Sequence, residues 1–348
     1  MKRIPALLLL VVLGAGGGAS SAPAAKVVAP RIGLVEPRTN NPFPAQGLLV
    51  ARGRDTVLIG LDGRPYARFL GARPPWLASA DTARNAAFQQ LAQMLPDRTL
   101  LVGPGGRWYL FDPPGRFHAL VSPRVRLSGD IEIAARTLPT NDGVFQVDVT
   151  VERAGRKLVP AAAELRRISG NLAVGRSIAV DLQTGVRWNV SPDCYAAGSE
   201  NRELLMFCGP NGPKGSVTLV SVSATGSRRT LARLPNSLYA SSAYVSPDGK
   251  YVVGMFTPGC GPSYGFVVPT NGGDARPLSG EKTWSLDGPN TIALGWSTSN
   301  RVVAIVEPSR SIDREPKSGV YLIDPRTLTR TLVYPSPKAW AMWNPARG

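Results

Sequence analysis

The residues that could do chemistry are few, and most of them resolve into turns. Gly261-Pro262-Ser263-Tyr264-Gly265 has the spacing of a hydrolase nucleophile elbow, Gly-x-Ser-x-Gly. That elbow needs a strand before it, a helix after it and a histidine later in the chain. Here it falls in a Gly/Pro-rich loop between two strand-like runs, and the single histidine, His118, comes earlier, in an expected outermost strand over Arg116 to Leu120. One histidine also removes metal sites built from several imidazoles. The chain has 24 Asp and Glu in all. Asp112, Asp181, Asp248 and Asp324 each sit where an aspartate caps the backbone of a tight turn. A pair of carboxylates could still act on a glycoside without histidine. A calcium ion would need a loop of regularly spaced Asp, Asn and Gly, and none is present. Gly103-Pro104-Gly105-Gly106 reads as a hairpin turn, since no strand–loop–helix context surrounds it. No cofactor is expected.

The three cysteines are Cys194, Cys208 and Cys260. One disulfide and one spare thiol is the simplest arithmetic. Cys194 with Cys208 is favoured because that contact is the most local.

Composition sets the frame for these residues. The 348 residues are 43% hydrophobic and 18% charged, so the chain can bury a core. With 37 Gly and 32 Pro it is a poor helical bundle. The formal net charge is +16, and arginine outnumbers lysine 32 to 8, but the longest basic runs are pairs. Diffuse charge of this kind suits attraction to an anionic polymer or surface. Nucleic acid is not expected, because no basic stripe is interleaved with aromatics. Residues 1–24 read as an export signal: Lys2 and Arg3, an apolar run from Ile4 to Ala15, and the small-residue site Ala22-Pro23-Ala24. Cleavage near Ala24 would leave an extended segment, 25–45, and a mature chain with no transmembrane run, in an extracytoplasmic compartment (secreted, or periplasmic and envelope-associated).

An internal repeat organises the remainder. Ser246-Pro247-Asp248-Gly249-Lys250 stands between Ala243-Tyr244-Val245 and Tyr251-Val252-Val253, the pattern of strand, tight turn, strand. Looser copies begin at 95, 199, 297 and 344, with gaps of 104, 47, 51 and 47. The long gap implies one degenerate copy near 147. Second hairpins follow at Asp62-Gly63, Asp112-Pro113, Asp181 to Gly185, Ser223 to Gly226, Pro269 to Gly273 and Asp324 to Thr327. Two hairpins per unit of about 50 residues are the mark of a β-propeller blade. The expected fold is all-β: a six-bladed propeller of four-stranded antiparallel blades over 46–348, with an insertion within 113–180. The first unit holds only outer strands (Leu48 to Leu70) and the last only an inner strand (Ala339 to Trp343). Pairing them closes the ring and removes the open sheet edge. Phe88, Leu91, Met94 and Leu95 fall at helical spacing over 82–95, with Asp81 as a capping residue and the helix packed on the rim.

The Ser-Pro-Asp-Gly-Lys turn with its following hydrophobic strand, and the Val320-Tyr321-Leu322-Ile323-Asp324 hairpin, resemble the repeats of TolB-like (WD-repeat-like) propellers. The resemblance covers about 46–348 and implies an extracytoplasmic propeller used for protein–protein contact. TolB's additional N-terminal domain has no counterpart here, and the hydrolase domain that follows related propellers in prolyl peptidases has no room.

In such a fold the blade-to-blade links and second-to-third-strand loops share one face. All three cysteines map there, with Tyr195, Trp284 and the long loop carrying Arg310, Asp313 and Arg314. Aromatics with arginine are what interfaces use. The expected function is therefore an exported, non-catalytic binding module for a protein or an anionic envelope polymer. The alternative is a propeller enzyme acting on saccharides or lactones through carboxylates or calcium in the central channel.

Overall fold

The computed structural model describes residues 31–32, 43–79, 82–95, 99–112, 116–138, 140, 145–159, 165–200, 203–209, 216–234, 239–257, 263–280, 289–307 and 317–343. These form seven sheets arranged as propeller blades. Blade 1 comprises Gly47–Arg52, Asp55–Gly60 and Pro65–Phe69, with Arg31–Ile32 parallel at its outer edge. Its innermost strand is the chain's last, Ala339–Trp343, paired antiparallel from Gly47 opposite Trp343. The expected closure of the ring by the two ends of the chain is thus present. Gln46 reinforces it by donating to the Trp296 carbonyl (3.3 Å) and accepting from Thr298 N (2.7 Å), which ties blade 1 to blade 7.

Blades 4 to 7 are regular, each of four consecutive antiparallel strands that begin at Arg167, Cys194, Tyr239 and Asn290. Shared apolar cores join neighbours. Phe207, Val252 and Phe266 lie between blades 5 and 6. Val253, Trp296 and Tyr321 lie between blades 6 and 7. Trp296 also donates through Nε1 to the Tyr244 carbonyl (2.8 Å) across that boundary.

The blade number corrects the expectation of six. The missed blade, blade 3, consists of Arg124–Ser128, Ile131–Leu138, Gln146–Arg153 and Arg156–Lys157. The segment 113–180 thus holds the last strand of blade 2, all four strands of blade 3 and the first two strands of blade 4 with the start of its third. Residue 147 lies inside a strand, and the turns sought there are at Ser128-Gly129-Asp130 and Ser169-Gly170-Asn171. Both are two-residue loops with glycine first, at φ +53° and +52°, the geometry that suits a hairpin's twist.

Blade 2 departs from the pattern. It has three strands, Thr99–Val102, Trp108–Asp112 and Arg116–Leu120. In the place of its inner strand, Arg73 alone exchanges backbone hydrogen bonds with Val102 (2.8 and 3.0 Å). The chain then forms helix α1, Ala83–Met94. Thr82 caps it, its hydroxyl accepting from Asn85 N at 3.2 Å, where Asp81 was the expected cap; Asp81 lies outside the described residues. The helix does not lie on the rim. Phe88 and Leu91 are fully buried in a core shared with blades 2, 3 and 4. Phe88 stacks on Trp108 of blade 2, ring centroids 5.0 Å apart.

Blade 3 buries one side more fully than the other. Val125, Ile131, Ile133, Ala135 and Val151 face the core with α1 and blade 4. Arg124, Arg126 and Arg136 are exposed, while Glu132 and Asp148 are half-buried. Strand alternation puts these five on the opposite side.

Candidate functional site

Where the chain passes from blade 2 to blade 3, a cleft of about 400 Å³ opens between the first turn of α1 and the upper edge of blade 3. The helix supplies Ala83, Arg84 and Ala87; the link supplies Ser122 and Pro123; blade 3 supplies Arg124 and Ala134 to Thr137, including Arg136. The Arg84 guanidinium lies over the Phe88 ring, 5.6 Å from its centroid, and its Nη2 is 3.4 Å from the Val121 carbonyl. Arg84 thus stands on a ring that is itself locked by stacking on Trp108. The α1 N-terminus adds partial positive charge at the same end.

The cleft is electrostatically one-sided. Its lining has three arginines and no carboxylate. Glu132, outside the lining, is 3.8 Å from both Arg124 Nη1 and Arg126 Nη2, so one carboxylate is shared loosely between two exposed arginines. Ion pairs of that length and exposure contribute little. Arg136 stands across the sheet from Asp148 but forms no ion pair with it. Planar guanidinium forks suit carboxylate or phosphate oxygens. Among the described residues no histidine, cysteine or acid lines the cleft. The sequence reading did not select Arg84, Arg124 or Arg136. The signal was present in Arg124-Val125-Arg126, whose alternation puts two charges on one face of a strand.

The cleft opens on the face that carries the blade links and the second-to-third-strand loops. Cys194 and Cys208 lie on that face too, directly opposite one another in the first two strands of blade 5, and are joined as a disulfide. Of the expected partner-face residues, Tyr195 is half-buried against Phe207 (centroids 5.8 Å). Trp284, Arg310, Asp313, Arg314 and Cys260 lie outside the described residues.

Ser246, Pro247, Asp248 and Gly249 form a tight turn, closed by the Gly249 N–H donating to the Ser246 carbonyl (2.8 Å). The buried Ser246 hydroxyl accepts from Lys250 N (3.1 Å) and Tyr251 N (3.0 Å) and donates to Asp248 Oδ1 (2.6 Å). Gly249 closes the turn at φ +71°. The Ser246 hydroxyl, followed by the Lys250 backbone, holds the Asp248 carboxyl below its ordinary range. Asp324 is lowered in the same way by the backbone N–H groups of Thr327 and Arg326. These carboxylates are turn caps. The turn of blade 7 repeats the design: Ser297 is buried and its Oγ accepts from Arg301 N (3.0 Å), with Asn300 in the left-handed position at φ +58°.

The elbow-like serine, Ser263, is engaged by its hydroxyl with Thr257 Oγ1 (3.2 Å) and is followed by a strand, Tyr264–Pro269, where an elbow would have a helix. His118 lies in the strand Arg116–Leu120, the outer edge of blade 2. Among the described residues no three His, Cys, Asp or Glu gather as metal ligands would. No helix among them is long and apolar enough to cross a membrane.

The chain is a β-propeller in architecture. No protein-family model matches it and no curated protein does. Among solved structures it is similar to a puromycin hydrolase (16% identity, TM-score 0.40), covering 59% of this chain and 37% of that one. It is also similar to TolB from Acinetobacter baumannii (12% identity, TM-score 0.36; 86% of this chain, 65% of that one). A 6-phosphogluconolactonase-like protein from Bacteroides fragilis is matched at 13% identity and TM-score 0.38, over 86% of this chain and 96% of that one. The chain spans well under half the length of the puromycin hydrolase.

Proposed function

We propose that this chain is an exported, non-catalytic binding propeller whose partner is an anionic envelope polymer, engaged at the cleft between α1 and blade 3. One observation carries the reading: three arginines line a cleft of about 400 Å³ in which no acid stands among the described residues. Export is supported by the basic start, apolar run and small-residue site of residues 1–24, and by the Cys194–Cys208 disulfide, which suits an oxidising compartment. The net charge, +16 over the whole sequence and +14 once Lys2 and Arg3 leave with residues 1–24, draws anions toward the molecule, and the cleft gives them a place to be held.

The test is binding of a labelled polyanion, polyglutamate or polyphosphate, to the chain and to the double variant Arg84→Ala/Arg136→Ala. Two charge-assisted contacts at about 1.5 kcal/mol each would amount to more than about a hundredfold in affinity. Solvent screening of exposed groups lowers the expectation to about tenfold. The loss should shrink as salt rises. Equal binding by the double variant at low salt would overturn the assignment to this cleft.

A further inference from the structure

Arg167 is the first residue of the innermost strand of blade 4, Arg167–Ser169. It is only 8% exposed, and its Nε and Nη2 have no hydrogen-bond partner among the described residues. Its cross-strand neighbour is apolar. Arg167 lies opposite Val174 in the sheet, and Val174 belongs with Leu172, Cys194 and Ala196 to the core between blades 4 and 5. Elsewhere in the ring arginines use the carbonyls of the adjacent blade: Arg330 of blade 7 donates to Leu278 O at 2.9 Å, and Arg276 of blade 6 to Arg326 O at 3.0 Å. Arg167 does neither.

A guanidinium stays charged at any pH a folded protein meets. Burying one without a partner is costly, and a fold keeps it only where something else repays the cost. Which atoms are orphaned indicates what that is. Nε and Nη2 lie on one edge of the guanidinium, with two parallel N–H bonds pointing the same way. That edge matches the two oxygens of a carboxylate or of a phosphate. The innermost strand borders the axis of the ring, so an anion would reach Arg167 from the central channel.

We propose that Arg167 anchors an oxoanion, a carboxylate or phosphate group, at the inner wall of the propeller between blades 4 and 5. This site is separate from the cleft beside α1, which lies across blade 3. The two sources of that chemistry are distinguished by using inorganic phosphate and succinate as separate probes.

The experiment is a thermal melt of the full oxidised chain with each probe titrated at constant ionic strength, chloride making up the difference. A ligand that binds only the folded state raises the midpoint in a saturable way. The parent should show a saturable rise of about 2 °C or more with at least one probe. Arg167→Met should lose that rise, and without anion it should melt at or above the parent, because the unpaired charge is gone. Arg84→Ala/Arg136→Ala should keep the rise, which separates this site from the cleft. No saturable response in the parent, or the same response in Arg167→Met, overturns the proposal. Should Arg167→Met fail to fold, Arg167→Lys keeps the charge and loses the two-donor edge. Its affinity should fall at least about tenfold, and an unchanged affinity overturns the proposal equally.

Discussion

Ala154 occupies a position that its side chain disfavours, and relieving it should stabilise the protein. Ala154 and Gly155 are the two loop residues between Arg153 and Arg156, which pair across the outer hairpin of blade 3. Both have positive φ, +48° at Ala154 and +79° at Gly155. Two-residue hairpins with both residues left-handed favour Asn-Gly or Asp-Gly, because the first position otherwise strains a Cβ. The left-handed region costs an ordinary L-residue about 1–2 kcal/mol. Asparagine recovers part of that through local hydrogen bonding. Ala154 is exposed, so a longer side chain meets solvent, and its N–H contact to the Asp130 carbonyl (3.4 Å) is retained.

Ala154→Asn should therefore gain about 0.5–1 kcal/mol, seen as a rise of about 1–2 °C in the melting midpoint of a chain this size. Ala154→Gly removes the same strain but loosens the unfolded chain, which takes back about 0.4–1 kcal/mol. It should melt close to the parent. Ala154→Val adds a branched carbon in the same conformation and should lose about 1–2 kcal/mol. The assay is a thermal melt of the four proteins side by side at neutral pH. The order Val, parent, Gly, Asn from lowest to highest is the expected result. A valine variant as stable as the parent, or an asparagine variant below it, would refute the left-handed turn and with it the register of the outer two strands of blade 3.

Phe88→Ala should cost about 3–5 kcal/mol, since a fully buried ring stacked on Trp108 is deleted from the core that α1 shares with three blades; equilibrium denaturation showing less than about 1 kcal/mol would mean that the helix is not wedged there. The same variant removes the support under Arg84 and should weaken polyanion binding along with stability. Asp324→Asn should flatten the acid side of the stability curve. A carboxyl whose folded pKa is depressed stabilises fully above its unfolded value near 4 and loses that contribution as pH falls through the folded value. The variant keeps an acceptor for the Arg326 and Thr327 N–H groups, so parent and variant midpoints should differ at pH 7 and converge below about pH 4. Parallel curves would show that Asp324 does not titrate in the turn.

The blades that the sequence revealed and the one that it hid differ in turn chemistry. All six second hairpins read from the sequence are the outer hairpins of blades 1, 2, 4, 5, 6 and 7. Each contains Asp, Pro, Asn or Ser beside Gly or Thr, the residues that announce a turn. The outer hairpin of blade 3 is Arg153-Ala154-Gly155-Arg156, whose alanine gives no such sign. Its inner hairpin is the two-residue Gly129-Asp130 loop, without the Ser-Pro-Asp-Gly-Lys form. Blades 3 and 4 are also compact, so two units occupied the space in which the spacing of the others suggested one. Ring closure was legible for a different reason. An unpaired strand at each end of the chain is a liability that pairing Gly47–Arg52 with Ala339–Trp343 removes.

The arginine-lined cleft was not legible because it belongs to an irregularity and not to the repeat. A regular blade buries both faces against neighbours and leaves function to its loops. Blade 2 has given up its inner strand for α1, and α1 covers the apolar side of blade 3 where an ordinary neighbour would pack. The other side of blade 3 then bears Arg124, Arg126 and Arg136 where a regular blade would be apolar, and the helix brings Arg84 to its edge. Each charge is unremarkable alone in a chain with 32 arginines. The helix, where the inner strand of blade 2 would lie, brings Arg84 beside Arg124 and Arg136. The same reasoning places Arg167 apart. It sits in a regular blade, opposite Val174 of an apolar core, with its Nε and Nη2 unpartnered among the described residues.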